Sequence, residues 1–256
     1  MNTIETATND FKEFQPKYLS ICLVLFSATW LISILAAIKT VSFWGITLTG
    51  GFIVFPITTT LNSLIVDVYG YKNARQALWC GVIVGFTYLI LMNIVNVIPS
   101  DPNWGLNKEF ITILIPETRL ILASIFSFWL SGSINNILMA KLKCRGKSIY
   151  FRTIFSLSIS LTIDISAYFL LGFLGSVPIN ILKKIFIFAY LKKIICEIML
   201  LPLVWKLIDW FKKMEQFEIF DFDTDFSPFS FDNVYFLSDY KKYTNADGDQ
   251  KLETSS

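Results

Sequence analysis

The chain has 256 residues, a formal net charge of +2 and no histidine; 54% of its residues are hydrophobic and only 16% are charged. An average soluble domain carries roughly 25% charged residues, so this composition argues against a soluble, disordered or nucleic-acid-binding chain. The lack of histidine excludes Ser-His-Asp triads and HExxH metal sites. The four cysteines are widely spaced and form no CxxC motif. They indicate neither a zinc site nor a disulfide framework, so no metal and no cofactor is expected.

The apolar residues are concentrated in six blocks, each close to the roughly 20 residues that a helix needs to cross a bilayer. In chain order the blocks are Tyr18–Ile38, Leu48–Val66, Gln76–Ile98, Thr118–Ala140, Thr153–Gly175 and Ile185–Ile208. They predict an all-α, polytopic membrane protein with six transmembrane helices. A short interfacial helix is expected near Leu106–Ile115. Gly50, Gly51 and Pro56 are expected to interrupt the second helix.

Lysine and arginine residues in the connecting segments predict how the helices are oriented. With the N-terminus inside, twelve of them lie on the cytoplasmic side and four on the other side. Both termini are therefore expected in the cytoplasm. The chain divides into an N-terminal segment (1–17), a six-helix transmembrane domain (18–208) and an acidic, aromatic tail (209–256). The tail is interpreted as a mobile, partly disordered cytoplasmic segment, with a partner-binding motif as the alternative.

Charged side chains near the middle of a bilayer cost at least about 2.5–3.5 kcal/mol each, which makes them candidates for function. Asp164 lies at the centre of the fifth block, and Lys192, Lys193 and Glu197 lie in the middle of the sixth. Lys193 and Glu197 are four residues apart and are expected to pair on one helix face. Lys192 is then left to pair with Asp164 or to reach another polar surface. The alternative is an ion-pair cluster that only fixes helix packing.

Other polar residues lie within the remaining blocks or at their ends. Asn62 is in the second block and Asp67 at its inner end, Arg119 is at the outer end of the fourth block, and Asn135 and Asn136 are neighbours within it. Serine and threonine in such helices often only pack, but two adjacent asparagines are less easily explained in that way. The predicted substrate-binding residues are Asn62, Asp67, Arg119, Asn135, Asp164, Lys193 and Glu197.

Several of these residues belong to a longer pattern. The run Phe55-Pro56-Ile57-Thr58, then Asn62, then the nine residues Asp-Val-Tyr-Gly-Tyr-Lys-Asn-Ala-Arg at 67–75 resembles the signature of the queuosine precursor transporter family, in the vitamin uptake transporter group. The resemblance covers about 18–208. It continues, in the family's order, with Arg119, Ala123-Ser124, Lys141-Leu142-Lys143, Arg152, Ser156, Asp164, Tyr190, Lys193, Glu197 and Pro202. The chain departs from the family's polar pattern at Ser63, Val66, Asp67, Gly132, Asn135 and Leu161.

The resemblance implies import of queuosine precursors, which are 7-deazaguanine bases, or of the base queuine, across a bacterial inner membrane. Asp164 or Glu197 would then accept the adjacent N–H and amine donors of the base, because a carboxylate accepts two parallel hydrogen bonds. Asn62 or Asn135 would meet the carbonyl edge. Aromatic rings that would stack on the base belong to Phe128, Trp129 and Tyr190.

Two other functions remain open. One is a membrane-embedded binding subunit for another vitamin-like solute, energised by a separate ATPase module. The other is an intramembrane enzyme with Asp67 and Asp164 as an aspartyl pair, although no nucleophile or metal constellation supports it and no enzymatic activity is expected. The sequence has no GxxxxGK[ST] phosphate loop, so ATP hydrolysis by that route is not expected. The expected partners are a small-molecule substrate and the lipid bilayer, with a homo-oligomer or an ATPase partner as open alternatives.

Overall fold

The computed structural model describes residues 16–43, 46–115 and 118–243, and it is mostly helical, in agreement with the predicted class. The helices are α1 (Leu19–Ala36), α2 (Gly51–Val97), α3 (Asn107–Leu114), α4 (Thr118–Cys144), α5 (Ile149–Phe173) and α6 (Ile179–Glu215). The short helix expected near residues 106–115 is present as α3.

In the part of the chain that the structure describes, two short antiparallel strand pairs accompany the helices, and the sequence analysis predicts neither. The first pair, β1 (Thr40–Phe43) with β2 (Ile46–Thr49), connects α1 to α2. The second pair, β3 (Phe217–Ile219) with β4 (Tyr240–Lys242), lies in the tail, where Phe217 is opposite Lys242. A single 3₁₀ turn at Leu237–Asp239 precedes β4.

The long helix α2 is interrupted at Gly70, whose φ of 81° and ψ of 173° are outside the helical region. We call residues 51–69 the first arm of α2 and residues 71–97 its second arm. The predicted interruption at Gly50, Gly51 and Pro56 is wrong: Gly50 immediately precedes the helix, and Pro56 lies inside it. Pro56 is close to the start of the helix, where the loss of one backbone hydrogen bond does not end it.

The two arms fold back on each other at Gly70. Gly51 at the start of the first arm lies against Ser33 of α1, whose hydroxyl donates to the Gly51 carbonyl at 3.3 Å. Gly85 in the second arm lies against the ring of Trp30. Trp30 is also in α1, less than one turn from Ser33, so both arms contact the same part of α1. A straight helix would separate residues 51 and 85 by about 51 Å, so the arms must be antiparallel.

Among the described residues, four stretches are long and apolar enough to cross a membrane: Leu19–Ala36, Gly51–Val97, the stretch Asn107–Cys144 that holds α3 and α4, and Ile149–Phe173. The fold-back at Gly70 divides the second of these into two lengths. Helix α6, expected to be the sixth span, is not among the four, because Lys192, Lys193 and Glu197 lie near its middle. The chain is thus built as a multi-pass membrane protein, whereas six crossings and cytoplasmic termini stay predictions.

The first and last described helices meet at one end of the bundle. The backbone N–H groups of Lys17 and Tyr18 donate to the carboxylate of Glu215, and the Tyr69 hydroxyl donates to the same carboxylate at 2.6 Å. Tyr69 directly precedes Gly70, so the α2 fold-back lies here as well. We call this the tail end of the bundle and the opposite end the far end.

The core lies where the second arm of α2 packs against α1 and α4. Trp30 stacks on Phe128 with ring centroids 4.3 Å apart. An added Cβ at Gly81 would come within 2.9 Å of Phe128, and one at Gly132 within 2.5 Å of Leu78. These glycines let the helices approach closely, as small residues do at helix contacts within membranes.

The described part of the tail, 217–243, packs on the tail end of the bundle. Phe217, Ile219 and Tyr235 are buried there. Residues 244–256, for which disorder is predicted, and residues 1–15 lie outside the described parts. The proposed division at residue 208 falls within α6, which continues to Glu215. The division into segments 1–17, 18–208 and 209–256 therefore stays a prediction.

Candidate functional site

Polar contacts join the first arm of α2 to two other helices. Phe55, Thr59 and Asn62 are spaced i, i+4 and i+7 and therefore share one helix face. The hydroxyl of Thr59 lies 2.8 and 3.0 Å from the two carboxylate oxygens of Glu197 in α6. The side-chain amide of Asn62 donates to Oδ1 of Asn136 in α4 at 2.8 Å. One face of the first arm thus holds polar groups of both α4 and α6.

Helix α5 joins the same set through an ion pair. Lys193 Nζ of α6 lies 2.7 Å from Asp164 Oδ2 of α5, and it also lies 3.9 Å from the ring centroid of Phe55. This ammonium group therefore contacts a carboxylate and the face of an aromatic ring, two favourable partners for a cation. We call the set the polar centre; its members are Phe55, Thr59, Asn62, Asn135, Asn136, Asp164, Lys193 and Glu197.

The predicted pairing of Lys193 with Glu197 is wrong. Lys193 pairs with Asp164 on the neighbouring helix, while Glu197 accepts from Thr59. Pairing within α6 would have left the mostly buried Asp164 without this cation, and an uncompensated charge in such a place is costly. The contacts between helices are therefore favoured over the contact along one helix.

Several buried polar atoms in this region have no hydrogen-bond partner within the described part of the chain. They are Thr58 Oγ1, Asn62 Oδ1, Ser63 Oγ, Asn135 Oδ1 and Asn136 Nδ2. Leaving a buried donor or acceptor unpaired costs about 1–3 kcal/mol. The set contains amide oxygens, an amide nitrogen and hydroxyls. A ligand that offers both donors and acceptors on a small polar edge would satisfy it.

Arg119, one of the predicted site residues, lies away from the polar centre. Its guanidinium donates to the carbonyls of Leu171 and Leu174 at 2.8 and 2.6 Å and to the hydroxyl of Ser176 at 3.0 Å. These groups surround the C-terminal end of α5, where a cation is favourable. Because α4 is antiparallel to the second arm of α2, Arg119 lies at the far end.

Asp67, the other predicted residue outside the polar centre, is fully buried at the tail end. Its carboxylate accepts from the Arg152 guanidinium at 2.6–3.1 Å and lies 2.9 Å from Lys212 Nζ and 3.6 Å from Lys143 Nζ. Glu218 of the tail lies 2.5 Å from Lys212 and 3.0 Å from Lys143. We call these five residues the charge cluster.

The charge cluster ties the tail to the transmembrane helices. Lys143 also donates to the backbone carbonyls of Asp67 and Ile219 at 2.6 and 2.8 Å. Burial raises the pKa of Glu218, but the ammonium groups of Lys143 and Lys212 outweigh burial and hold that pKa at about 2. The carboxylate is thus charged at neutral pH and bound to cations of α4 and α6.

The two aspartates of the enzyme hypothesis are held by different cations. Asp67 is bound by Arg152 and Lys212, whereas Asp164 is bound by Lys193. An aspartyl dyad needs two carboxylates that share one proton, and these contacts provide a cation to each instead. The structure therefore gives no support to an aspartyl pair.

The polar centre contains five of the seven predicted residues; Asn62 and Asn135 lie beside Asn136, and Asp164 pairs with Lys193. Whether they bind substrate stays a prediction. The sequence analysis missed Thr59, although its position one turn from both Phe55 and Asn62 could have indicated it. It also gave no role to Arg152, Lys143, Lys212 or Glu218, because Glu218 comes from a tail whose contacts a local pattern does not reveal.

A bundle of apolar helices that directs charged and amide side chains inward from four of its members has the construction of a membrane transporter. The chain belongs to the vitamin uptake transporter family: residues 49–207 match the family model described as "Putative vitamin uptake transporter". The match extends from the end of β2 into α6 and includes the whole polar centre. No curated protein and no solved structure matches the chain. The family implies a small-molecule substrate and a lipid bilayer.

Proposed function

We propose that this chain imports a queuosine precursor, a 7-deazaguanine base or queuine, across a bacterial inner membrane, with the polar centre as its binding site. Two findings support the substrate: the motif at residues 55–75 and its continuation through Glu197 and Pro202, and the membership of a vitamin uptake family. The observation that carries the proposal is a group of amide and hydroxyl atoms near Glu197 that find no hydrogen-bond partner in the described part of the chain, where Glu197 itself forms no ion pair.

Glu197 is the better of the two candidate acceptors for the base. Asp164 is already paired with Lys193 at 2.7 Å, whereas Glu197 accepts only from the Thr59 hydroxyl among the contacts described. A carboxylate has about four lone-pair sites, so Glu197 retains capacity for two parallel donors. A guanine-like edge presents an N–H and an exocyclic amine side by side, and Asn62 and Asn135 supply amides for the remaining edge.

Substrate binding at Glu197 would act on the contact between two helices. Thr59 joins the first arm of α2 to α6, and Lys193 joins α6 to α5. A base that competes with Thr59 for the carboxylate weakens the first contact and leaves the second in place. In alternating access one group of helices moves against another around a central site, and loosening α2 from α6 would permit such a movement.

The test is uptake of radiolabelled 7-deazaguanine bases by cells that lack their own synthesis and importer, with and without the chain. We expect uptake of one base and its loss in Glu197→Gln and Asp164→Asn at equal expression. The matched control is Glu109→Gln, which removes an exposed carboxylate of α3 and should leave uptake unchanged. Full uptake in both site variants would refute the binding site, and no uptake of any base would refute the substrate.

Uptake into liposomes that contain only the purified protein tests which energy source drives transport. The sequence has no phosphate loop, so the chain itself is not expected to hydrolyse ATP by that route. If it acts alone, as proposed, uptake needs neither ATP nor a second protein. Uptake that requires an added ATPase module would identify the chain as a binding subunit instead. A proton-coupled carrier would differ from a facilitator in that an imposed pH gradient would drive accumulation.

A further inference from the structure

A loop of the tail lies against the outer surface of two membrane helices. The ring of Phe229 is 6.4 Å from Trp79 in the second arm of α2 and 5.2 Å from Trp129 in α4, measured between centroids. Phe231 is 6.1 Å from Trp79, and Trp129 continues to Phe126 at 6.4 Å. The aromatic side chains of the tail thus extend a row of rings that begins on transmembrane segments.

Several rings of this row are exposed on the surface of the protein. Phe231 is 79% exposed and Phe229 63%, and they adjoin Phe126 at 48%. Helix α4 and the second arm of α2 also expose large apolar side chains, as lipid-facing surfaces do. In water, two neighbouring rings so far exposed would form an unusual apolar patch. They are instead continuous with a surface that already faces lipid.

Backbone carbonyls at both ends of the loop accept hydrogen bonds from side chains of the second arm of α2. The Arg75 guanidinium donates to the carbonyls of Ser227, at 2.9 Å, and Asp232, and Trp79 Nε1 donates to the Pro228 carbonyl at 2.9 Å. Pro228 itself has no N–H. Irregular backbone is tolerated at membrane depth only where its polar groups find partners in the protein.

The depth of the loop follows from the helix beneath it. Lys72 and Arg75 are the last charged residues before the uncharged run 76–98, and Lys72 Nζ contacts Asp232 at 2.8 Å. At about 1.5 Å per residue, Trp79 lies about 10 Å farther along the helix than Lys72. Interfacial elements bury their apolar side by about 5–10 Å, so the rings beside Trp79 fall within that depth.

We infer that residues 228–231, which we call the aromatic wedge, are inserted among the lipid acyl chains of the leaflet at the tail end. Arg75 and Lys72 hold the base of the wedge at the level of the headgroups, and Phe229 and Phe231 are its lipid contacts. The tail is then anchored twice, through the charge cluster to the helices and through the wedge to the bilayer. This inference does not depend on which solute is transported.

The test places the photocrosslinking residue p-benzoyl-phenylalanine at single positions of the full chain in phospholipid vesicles. Phe231 is the test position and Phe229 a second one. Phe222 is the matched control: it is half exposed in the same tail, but the ammonium group of Lys241 lies 5.5 Å from its ring. Equal melting temperatures of the variants show that each has folded.

After irradiation, mass spectrometry identifies the adducts. We expect an added mass of one phospholipid at Phe231 and Phe229, several-fold more abundant than at Phe222. Phospholipid adducts that are equally rare at all three positions would overturn the inference. Crosslinks from Phe231 mainly to a second copy of the chain, or to an added protein partner, would also overturn it, because the wedge would then be a protein interface.

Discussion

Replacing Asp67 by asparagine should strongly destabilise the protein. The charge cluster holds three cations, Lys143, Arg152 and Lys212, against the two carboxylates of Asp67 and Glu218. Asp67 is 0% exposed, so no water compensates for the lost charge. Removing one partner from a buried ion pair costs about 3–5 kcal/mol. For a chain of this size about 1 kcal/mol corresponds to 2–4 °C, so the expected fall in Tm is about 6–20 °C.

The assay is thermal unfolding of purified protein in lipid nanodiscs. Asp209→Asn is the control, because its pair with Lys213 is about half exposed and such pairs contribute about 0–1 kcal/mol. The double variant Asp67→Asn with Lys212→Met restores the cluster's net charge and should regain part of the lost Tm. If Asp67→Asn lowers Tm no more than Asp209→Asn does, the ionic reasoning about the charge cluster is incorrect.

The remaining predictions concern the fold-back, the tail and the polar centre. Gly70→Ala should lower stability by about 1–3 kcal/mol, because its backbone is in a region open almost only to glycine, whereas Gly105→Ala, with open space around it, should lower it far less in the same melting assay. Glu218 has its pKa lowered to about 2, so its contribution to tail docking should be present above pH 4.5 and lost as pH falls from 4.5 towards 2; tryptophan fluorescence of Trp79 should report this undocking, and Glu218→Gln should remove that part of the pH dependence. Thr59→Val should lower the KM for uptake by up to about tenfold, because the base would no longer compete with the Thr59 hydroxyl for the carboxylate of Glu197. Thr60→Val, whose hydroxyl donates only to the Pro56 carbonyl, should leave KM unchanged.

The helical segments could be predicted from the sequence because hydrophobic blocks of membrane length are a local property. The short helix α3 is no membrane-length block, but it too could be predicted as a local feature of the connecting segment. The predicted interruption of the second helix is wrong, since Gly50, Gly51 and Pro56 look like helix breakers only in isolation. The chain folds back instead between the second and third predicted blocks, which end at Val66 and begin at Gln76. The residue that bends the chain is Gly70, and an added Cβ there would collide with the hydroxyl of Tyr235. That contact joins residues far apart in sequence, so no local pattern contains it.

The polar centre could be predicted in composition but not in pairing. Asp164, Lys193 and Glu197 could be predicted as site residues because each is a charged residue within an apolar block. The cost of placing a charge in a bilayer does not depend on how the helices pack. Their partners depend on how α2, α5 and α6 pack. Helical spacing alone favoured Lys193 with Glu197, whereas packing provided Asp164 and Thr59 as better partners.

The family motif at residues 67–75 and the polar centre lie in different parts of the molecule. The nine residues from Asp67 to Arg75 are the densest part of the family resemblance, yet they lie at the fold-back. There Asp221 of the tail accepts from the backbone N–H of Tyr71 at 3.0 Å, and the Tyr235 hydroxyl accepts from that of Lys72 at 2.7 Å. These N–H groups begin a helix and have no intrahelical partner, so the tail caps the second arm.

Most of the motif therefore shapes and holds the hairpin of α2, and it does so whatever the protein transports. A solute would be distinguished instead by Glu197, Asn62 and Asn135, where the chain has unpaired polar atoms and, at Asn135, departs from the queuosine family's pattern. Family membership rests on the match over residues 49–207, and the proposed solute would be recognised at the polar centre. Substitutions in the polar centre should change the uptake of the solute, whereas substitutions at residues 67–75 should change how much folded protein is present.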